Sequence, residues 1–298
     1  MSDKFIHIKG NPVNLQDYLQ QINNENLLTE KEELCKHIHN LYELNFKAIT
    51  ENVNKINSDN KLKHINAYIM VMFGYGKEIA LLQQLKWNNS IEALSRDLLE
   101  CYAYLKKLIS LYYDAPKFES YIKNLVLIDM IQDIKIYNAL STDNTIKDLS
   151  KRDKEIENIL IRFENLLKEY FPTEYTRIDA NKKKRSMFRL IKDLNNNFDN
   201  IFPENKDKAL FIGKSLENNS AWKSEDTNGF CYDGSYVIYR SLCHSTHNSI
   251  SSVQDRTVRD GYYMFNNDRP NVAAALSLDY WCMRDIYEQV LEIYKNAD

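Results

Sequence analysis

The sequence is short of helix breakers: it has seven glycines and five prolines in 298 positions. With leucine, isoleucine, lysine, glutamate and asparagine abundant, that scarcity disfavours turn-rich sheets and favours long helices. An excess of charge of one sign is also lacking. Thirty-nine basic against 42 acidic side chains leave a net charge of −3. No global pull toward nucleic acid follows from that balance, so any contact with RNA or DNA requires a local basic patch. Cysteines are few, scattered and odd in number (Cys35, Cys101, Cys231, Cys243, Cys282), with no C-x-x-C pair. This argues against a disulfide framework or a structural zinc site, and for a reducing, cytoplasmic setting. Long apolar runs are missing as well. The most apolar stretch, Ala67 to Tyr75, is about half the ~18 residues that suggest a membrane span, and Lys77 and Glu78 follow it. Met1 to Asn11 carries no apolar signal core. A soluble protein with no membrane partner is expected. Glycine-rich phosphate loops, H-E-x-x-H and nucleophile elbows are absent too, which removes the motif-borne nucleotide, zinc-hydrolase and serine-hydrolase readings.

What is present is helical periodicity. Hydrophobic residues make up 44% of the chain, ample for a core. A short first helix is expected after Pro12, with Leu15, Leu19 and Ile22 on one side. A second covers roughly Thr29 to Ile56, ended by the polar string Asn57-Ser58-Asp59-Asn60. A third runs from about Lys61 to Trp87, where Gly74 and Gly76 predict a kink or a close helix–helix approach. Asn89 and Glu92 form a capping-box pattern ahead of a fourth helix. Its residues Ile91, Leu94, Leu98, Tyr102, Leu105, Ile109 and Tyr112 follow helical spacing. Pro116 opens a fifth helix. Ser150 and Asp153 cap a sixth, which Phe171-Pro172 ends. Further helices are expected to Asn196, from about Asp233 to Ser251, and from Pro270 to about Asn296. No alternating strand pattern of useful length, heptad seam or internal repeat is visible. The expectation is an all-α, multi-helix bundle of long antiparallel helices, with residues 1–57 as an N-terminal extension and 58–298 as the main bundle.

The densest chemistry lies between Tyr236 and His247, Y-V-I-Y-R-S-L-C-H-S-T-H. At 100° per residue, Tyr236, Tyr239, Arg240, Cys243 and His247 share one stripe of a helix. Arg240 and His247 are seven residues apart, about 10.5 Å along the axis, and His244 falls between them. A permanent cation and two imidazoles that titrate near neutrality can act on a phosphodiester without a metal. One histidine would withdraw the 2′-OH proton, and arginine would stabilise the phosphorane-like transition state. Alternatively, the same residues are the polar groups of an ordinary packed helix. A zinc reading of His244-x-x-His247 has no identifiable third ligand. Cys243 reads as a small packing residue.

Two further patterns stand beside this cluster. Arg96 and Glu100 are spaced i, i+4 on the fourth helix. They form either a surface ion pair or a face that meets the cluster helix, with Glu100 orienting an arginine or histidine. Lys182, Lys183, Lys184, Arg185 and Arg189 form a basic run that guides an RNA backbone or is simply a solvated helix start.

Two segments together resemble a family of uncharacterised bacterial helical proteins, a domain of unknown function. That family shows Arg-x-x-x-Glu on one helix and Tyr-Arg-x-Leu-Ser-x-x-x-His-Gly-Ser on a later one. Arg96 to Glu100 is similar to the first, and Tyr239 to Ser249 to the second, with Trp222 upstream also fitting. The chain departs at Cys243 and Asn248, where the family more often has serine and glycine. The resemblance spans roughly residues 85 to 295. The same helix resembles the HEPN signature, an arginine followed by about four to six residues and then histidine. Six residues separate Arg240 from His247. HEPN proteins are helical bundles, and many are metal-independent endoribonucleases of toxin–antitoxin, abortive-infection and other antiviral systems. The resemblance therefore implies catalysis by Arg240 and His247 with His244 auxiliary, support from Arg96, Glu100, Tyr239 and Tyr236, and a composite site across a homodimer. It implies RNA as substrate, an antitoxin or defence-system partner protein, and no cofactor or metal. The competing expectations are a non-catalytic helical module that binds a protein or small ligand, and a metal-dependent hydrolase.

Overall fold

The computed structural model describes residues 5–8, 11–14, 26–84, 88–142, 149–198, 202, 205–217, 238, 239, 242, 258, 259, 262, 263 and 270–297. Helices dominate, as expected. In chain order they are α1 (Asn26–Glu51), α2 (Val53–Ser58), α3 (Asn60–Gln84), α4 (Asn88–Ser110), α5 (Ala115–Thr142) and α6 (Leu149–Tyr170). They continue with the single turn α7 (Pro172–Tyr175), a 3₁₀ turn (Ala180–Lys182), α8 (Lys183–Asn197), α9 (Asn205–Glu217) and α10 (Pro270–Asn296). Two short antiparallel ladders join them: β1 (Phe5–Ile8) with β2 (Asn11–Asn14), and β3 (Val258–Arg259) with β4 (Tyr262–Tyr263). Where a helix is expected after Pro12, Val13 and Asn14 are in strand, opposite Ile6 and Phe5. Strands this short hold too few residues for alternation to show in sequence. Leu15, Leu19 and Ile22 lie outside the described residues.

The chain forms two compact units, residues 1–112 with 202–298, and residues 113–201. The boundary expected at 57/58 does not separate them. Helix α1 packs on α3 and α10, which places the N-terminal helices in the first unit.

In that first unit, the polar string after α2 works as the sequence suggests. Asp59 is extended (φ −116°, ψ 115°), and its Oδ1 accepts the Lys61 main-chain N–H at 2.7 Å, capping α3. Helix α3 then buries Leu62, Ile65, Ile69, Met72, Phe73, Gly76, Ile79 and Ala80, a 3.6-residue stripe. Gly76 sits at a close approach: a Cβ there would lie 2.5 Å from Met283 Sδ of α10 and 3.3 Å from Ile38 Cγ2 of α1. Gly74 has open space at the same test, so the expected close approach belongs to Gly76 alone. Helix α4 is the hub, packing on α3, α9 and α10. Its burial therefore extends beyond one stripe to Ser95, Leu99, Cys101 and Ala103.

The second unit packs α6 and α8 on α5 around Leu127, Met130, Ile134, Tyr137, Ile159, Phe163, Leu167 and Ile191. Phe188 meets Tyr137 and Phe163 edge-on at 4.8 and 5.7 Å between ring centroids, the geometry that aromatic quadrupoles prefer.

Candidate functional site

Glu100 stands on α4 at a point where three other groups converge. Its Oε1 accepts hydrogen bonds from Arg96 at 3.0 Å and from the Tyr239 hydroxyl at 2.9 Å. Its Oε2 accepts one from Lys208 Nζ of α9 at 3.0 Å. The i, i+4 spacing places Arg96 one turn before Glu100, so the helix itself delivers that partner. The other two arrive through tertiary packing. Ile238, Tyr239 and Leu242 are helical and buried, with Tyr239 and Leu242 fully so. Their spacing of one and three residues makes a single inward edge.

The cluster is largely withdrawn from water. The Lys208 side chain is 11% exposed and that of Glu100 22%. Lys208 also lies over the Tyr104 ring, 5.4 Å from its centroid, and Tyr104 meets Phe202 edge-on at 5.6 Å. Burial works to raise the Glu100 pKa. The Lys208 hydrogen bond and charge, the Tyr239 hydroxyl and the Arg96 charge outweigh it, so the carboxyl titrates below its ordinary value. A fixed, ionised carboxylate of this kind orients cations and hydroxyls; it is not itself poised to take a proton near neutrality.

Two more buried carboxyls flank this arrangement on α10. Asp285 accepts from Tyr102 at 2.8 Å, from Lys106 at 2.6 Å and from Gln289 at 2.6 Å. Asp279 is enclosed and accepts from Ser95 Oγ at 2.5 Å, and burial pushes its carboxyl up to about 8.

Of the residues that the sequence singles out, Arg96, Glu100 and Tyr239 come together here. The contact between the Arg96–Glu100 helix and the segment leading into Arg240 is therefore present. Tyr236, Arg240, His244 and His247 lie outside the described residues, as do Cys243 and Trp222. The basic run is in the second unit and exposed. There Lys183 pairs with Glu164 at 2.6 Å, Lys184 covers the Tyr137 ring at 4.5 Å, and Arg189 approaches Asp193 at 3.8 Å. Among the described residues, no group of three or more His, Cys, Asp or Glu could hold a metal ion, and no helix is long and apolar enough to cross a membrane.

Lys208 is the residue that sequence reasoning passes over. Its signal is visible in retrospect. It precedes Ile212 and Leu216 by one and two turns on the buried face of α9. A cation on an apolar stripe needs a buried anion.

Comparison with known proteins finds no matching family model, no matching curated protein and no matching solved structure.

Proposed function

We propose that this protein is a metal-independent endoribonuclease of the HEPN kind, an RNA-cleaving effector of the type used in antiviral defence. One observation carries the reading: the 2.9 Å bond from Tyr239 to Glu100, which anchors the segment entering Arg240 to a buried ionic cluster. In this mechanism Arg240 stabilises charge on the phosphoryl oxygens, and His247 exchanges the proton of the attacking 2′-OH. His244 is auxiliary. Glu100, Arg96, Tyr239 and Lys208 are positioning residues. They fix the base of the catalytic helix so that orientation is set before substrate binds. A homodimer would supply the second proton-transfer group. The exposed lysines and arginines from Lys182 to Arg189 offer a secondary contact for the RNA backbone.

The test is cleavage of RNA in EDTA by wild-type, Arg240→Ala and His247→Ala proteins, with folding checked by circular dichroism. Cleavage by the wild type alone is expected. Undiminished cleavage by His247→Ala would remove the site assignment. Glu100→Gln should lower kcat with little change in KM, as expected of a residue that positions rather than binds.

A second reading, a non-catalytic binding module, draws on the same cluster. Both Glu100 oxygens are taken up by internal partners, as in a purely architectural ion network. Three folded proteins that all leave RNA intact would favour it.

A further inference from the structure

A cavity of about 500 Å³ opens between the N-terminal half of α1 and the last turn of α3, separate from the Glu100 cluster. Glu32, Cys35, Lys36, His39 and Asn40 line it from α1, at the three- and four-residue spacing of one helix face. Ala80, Leu81, Gln83 and Gln84 line it from α3. The volume is in the range that holds a small ligand. It exists because the two buried floor residues, Cys35 and Ala80, are small.

Gln83 is the telling residue. It is 8% exposed, and its Oε1 is enclosed with no hydrogen-bond partner. A buried amide left unsatisfied costs roughly 1–3 kcal/mol, so the fold holds it at a disadvantage that a ligand would relieve. A primary amide presents an acceptor and a donor side by side. Its complement is a ring edge with an adjacent donor and acceptor, the edge that adenine offers through its amino group and N7. At the mouth of the cavity, Lys36 and His39 supply cationic and hydrogen-bonding groups suited to an anionic tail, and Glu32 can accept from hydroxyls. The side chains of Glu32, Lys36 and His39 form no hydrogen bond or ion pair with any described residue. Burial and the nearby Asp279 and Glu32 push the Cys35 thiol up to about 12, so it serves as floor and not as nucleophile.

We propose that this cavity binds a small anionic ligand with an adenine-type edge, its ring paired with Gln83 and its phosphate at Lys36 and His39. The proposal does not rest on ribonuclease activity. The probe is adenosine monophosphate, titrated calorimetrically into the full chain, with guanosine monophosphate, adenosine and inorganic phosphate as comparators. Saturable binding of adenosine monophosphate is expected, with weaker binding of adenosine and of the guanine nucleotide. Gln83→Leu should raise the melting temperature of the free protein, because it removes the unsatisfied amide, and weaken nucleotide binding by about tenfold or more. Lys36→Ala, at an exposed site, should leave folding unchanged and weaken the nucleotide but not adenosine. No saturable binding at millimolar nucleotide overturns the proposal. So does affinity unchanged in Gln83→Leu, equal binding of the guanine nucleotide, or binding matched by phosphate alone.

Discussion

In the unit made of residues 1–112 and 202–298, the helices close over three carboxylates. Glu100 is held by Arg96, Lys208 and Tyr239; Asp285 by Tyr102, Lys106 and Gln289; and Asp279 by Ser95. In the unit of residues 113–201, the interior is Leu127, Met130, Phe163, Leu167 and Ile191, with Asp133 paired to Arg162 at its margin. Its busiest carboxylate, Glu164, collects Lys168, Lys183 and Tyr175 at the surface. Both units are made of amphipathic helices, yet they bury different chemistry. Apolar packing is the more stabilising way to fill an interior, and a buried ion network costs desolvation that its contacts only partly return. Where a fold accepts that cost repeatedly, geometry is being fixed for a purpose. The first unit is therefore the place for the site, and the second has the interior of a frame.

Substitutions can break this contrast. Phe163→Ala in the second unit should cost about 3–5 kcal/mol, the usual loss for emptying an aromatic core position. Denaturant titration would measure it, and a cost near zero would deny that unit its apolar core. Glu100→Ala in the first unit should cost about 3 kcal/mol, because it strands the Lys208 ammonium in a largely dry setting. The double variant Glu100→Ala with Lys208→Met should recover much of that loss. Failure to recover would mean that Lys208 is not the partner that matters.

Asp279→Asn sharpens the comparison through pH. The folded Asp279 carboxyl titrates at about 8 against an ordinary 3.8, so the folded state holds its proton more tightly than the unfolded chain does. Its contribution is complete below 3.8 and is lost as pH rises from there through about 8. The asparagine variant should gain on the order of 2 kcal/mol on wild type at alkaline pH and nothing in acid. A pH-independent difference would show that Asp279 does not titrate as a buried acid. Glu100 acts in the opposite sense. Its folded pKa is lowered, so its contribution is present above the ordinary 4.5 and fades as pH falls through the folded value.

The smallest effect belongs to Glu164→Gln. The Lys168, Lys183 and Tyr175 bonds hold the Glu164 carboxyl down at about 2, but surface pairing of this kind contributes less than about 1 kcal/mol. A melting temperature within a few degrees of wild type is expected, and a large drop would erase the distinction between the two units.

Local patterns made much of this legible. The stripe from Leu62 to Ala80 and the punctuation at Asp59, Pro172 and Pro270 set helix type and approximate ends, because helical periodicity and capping act over a turn or two. The i, i+4 pair of Arg96 and Glu100 was readable for the same reason. Strands β1 to β4 were not, being too short to show a period, and neither was the division of the chain at residues 112/113 and 201/202.

The sequence by itself determined that the protein is a helical bundle, which faces of its helices are apolar, and that Arg96 and Glu100 share one of them. The tertiary structure alone decided that Tyr239 and Lys208 close on Glu100 from 139 and 108 residues away. It alone also decided that Ser95 meets Asp279 across 184 residues, and that Gln83 faces a cavity rather than solvent. The physical reason is range. Periodicity and capping are fixed within a few turns of chain, whereas the pairing of buried polar groups depends on which helix faces pack together, and no local spacing records that.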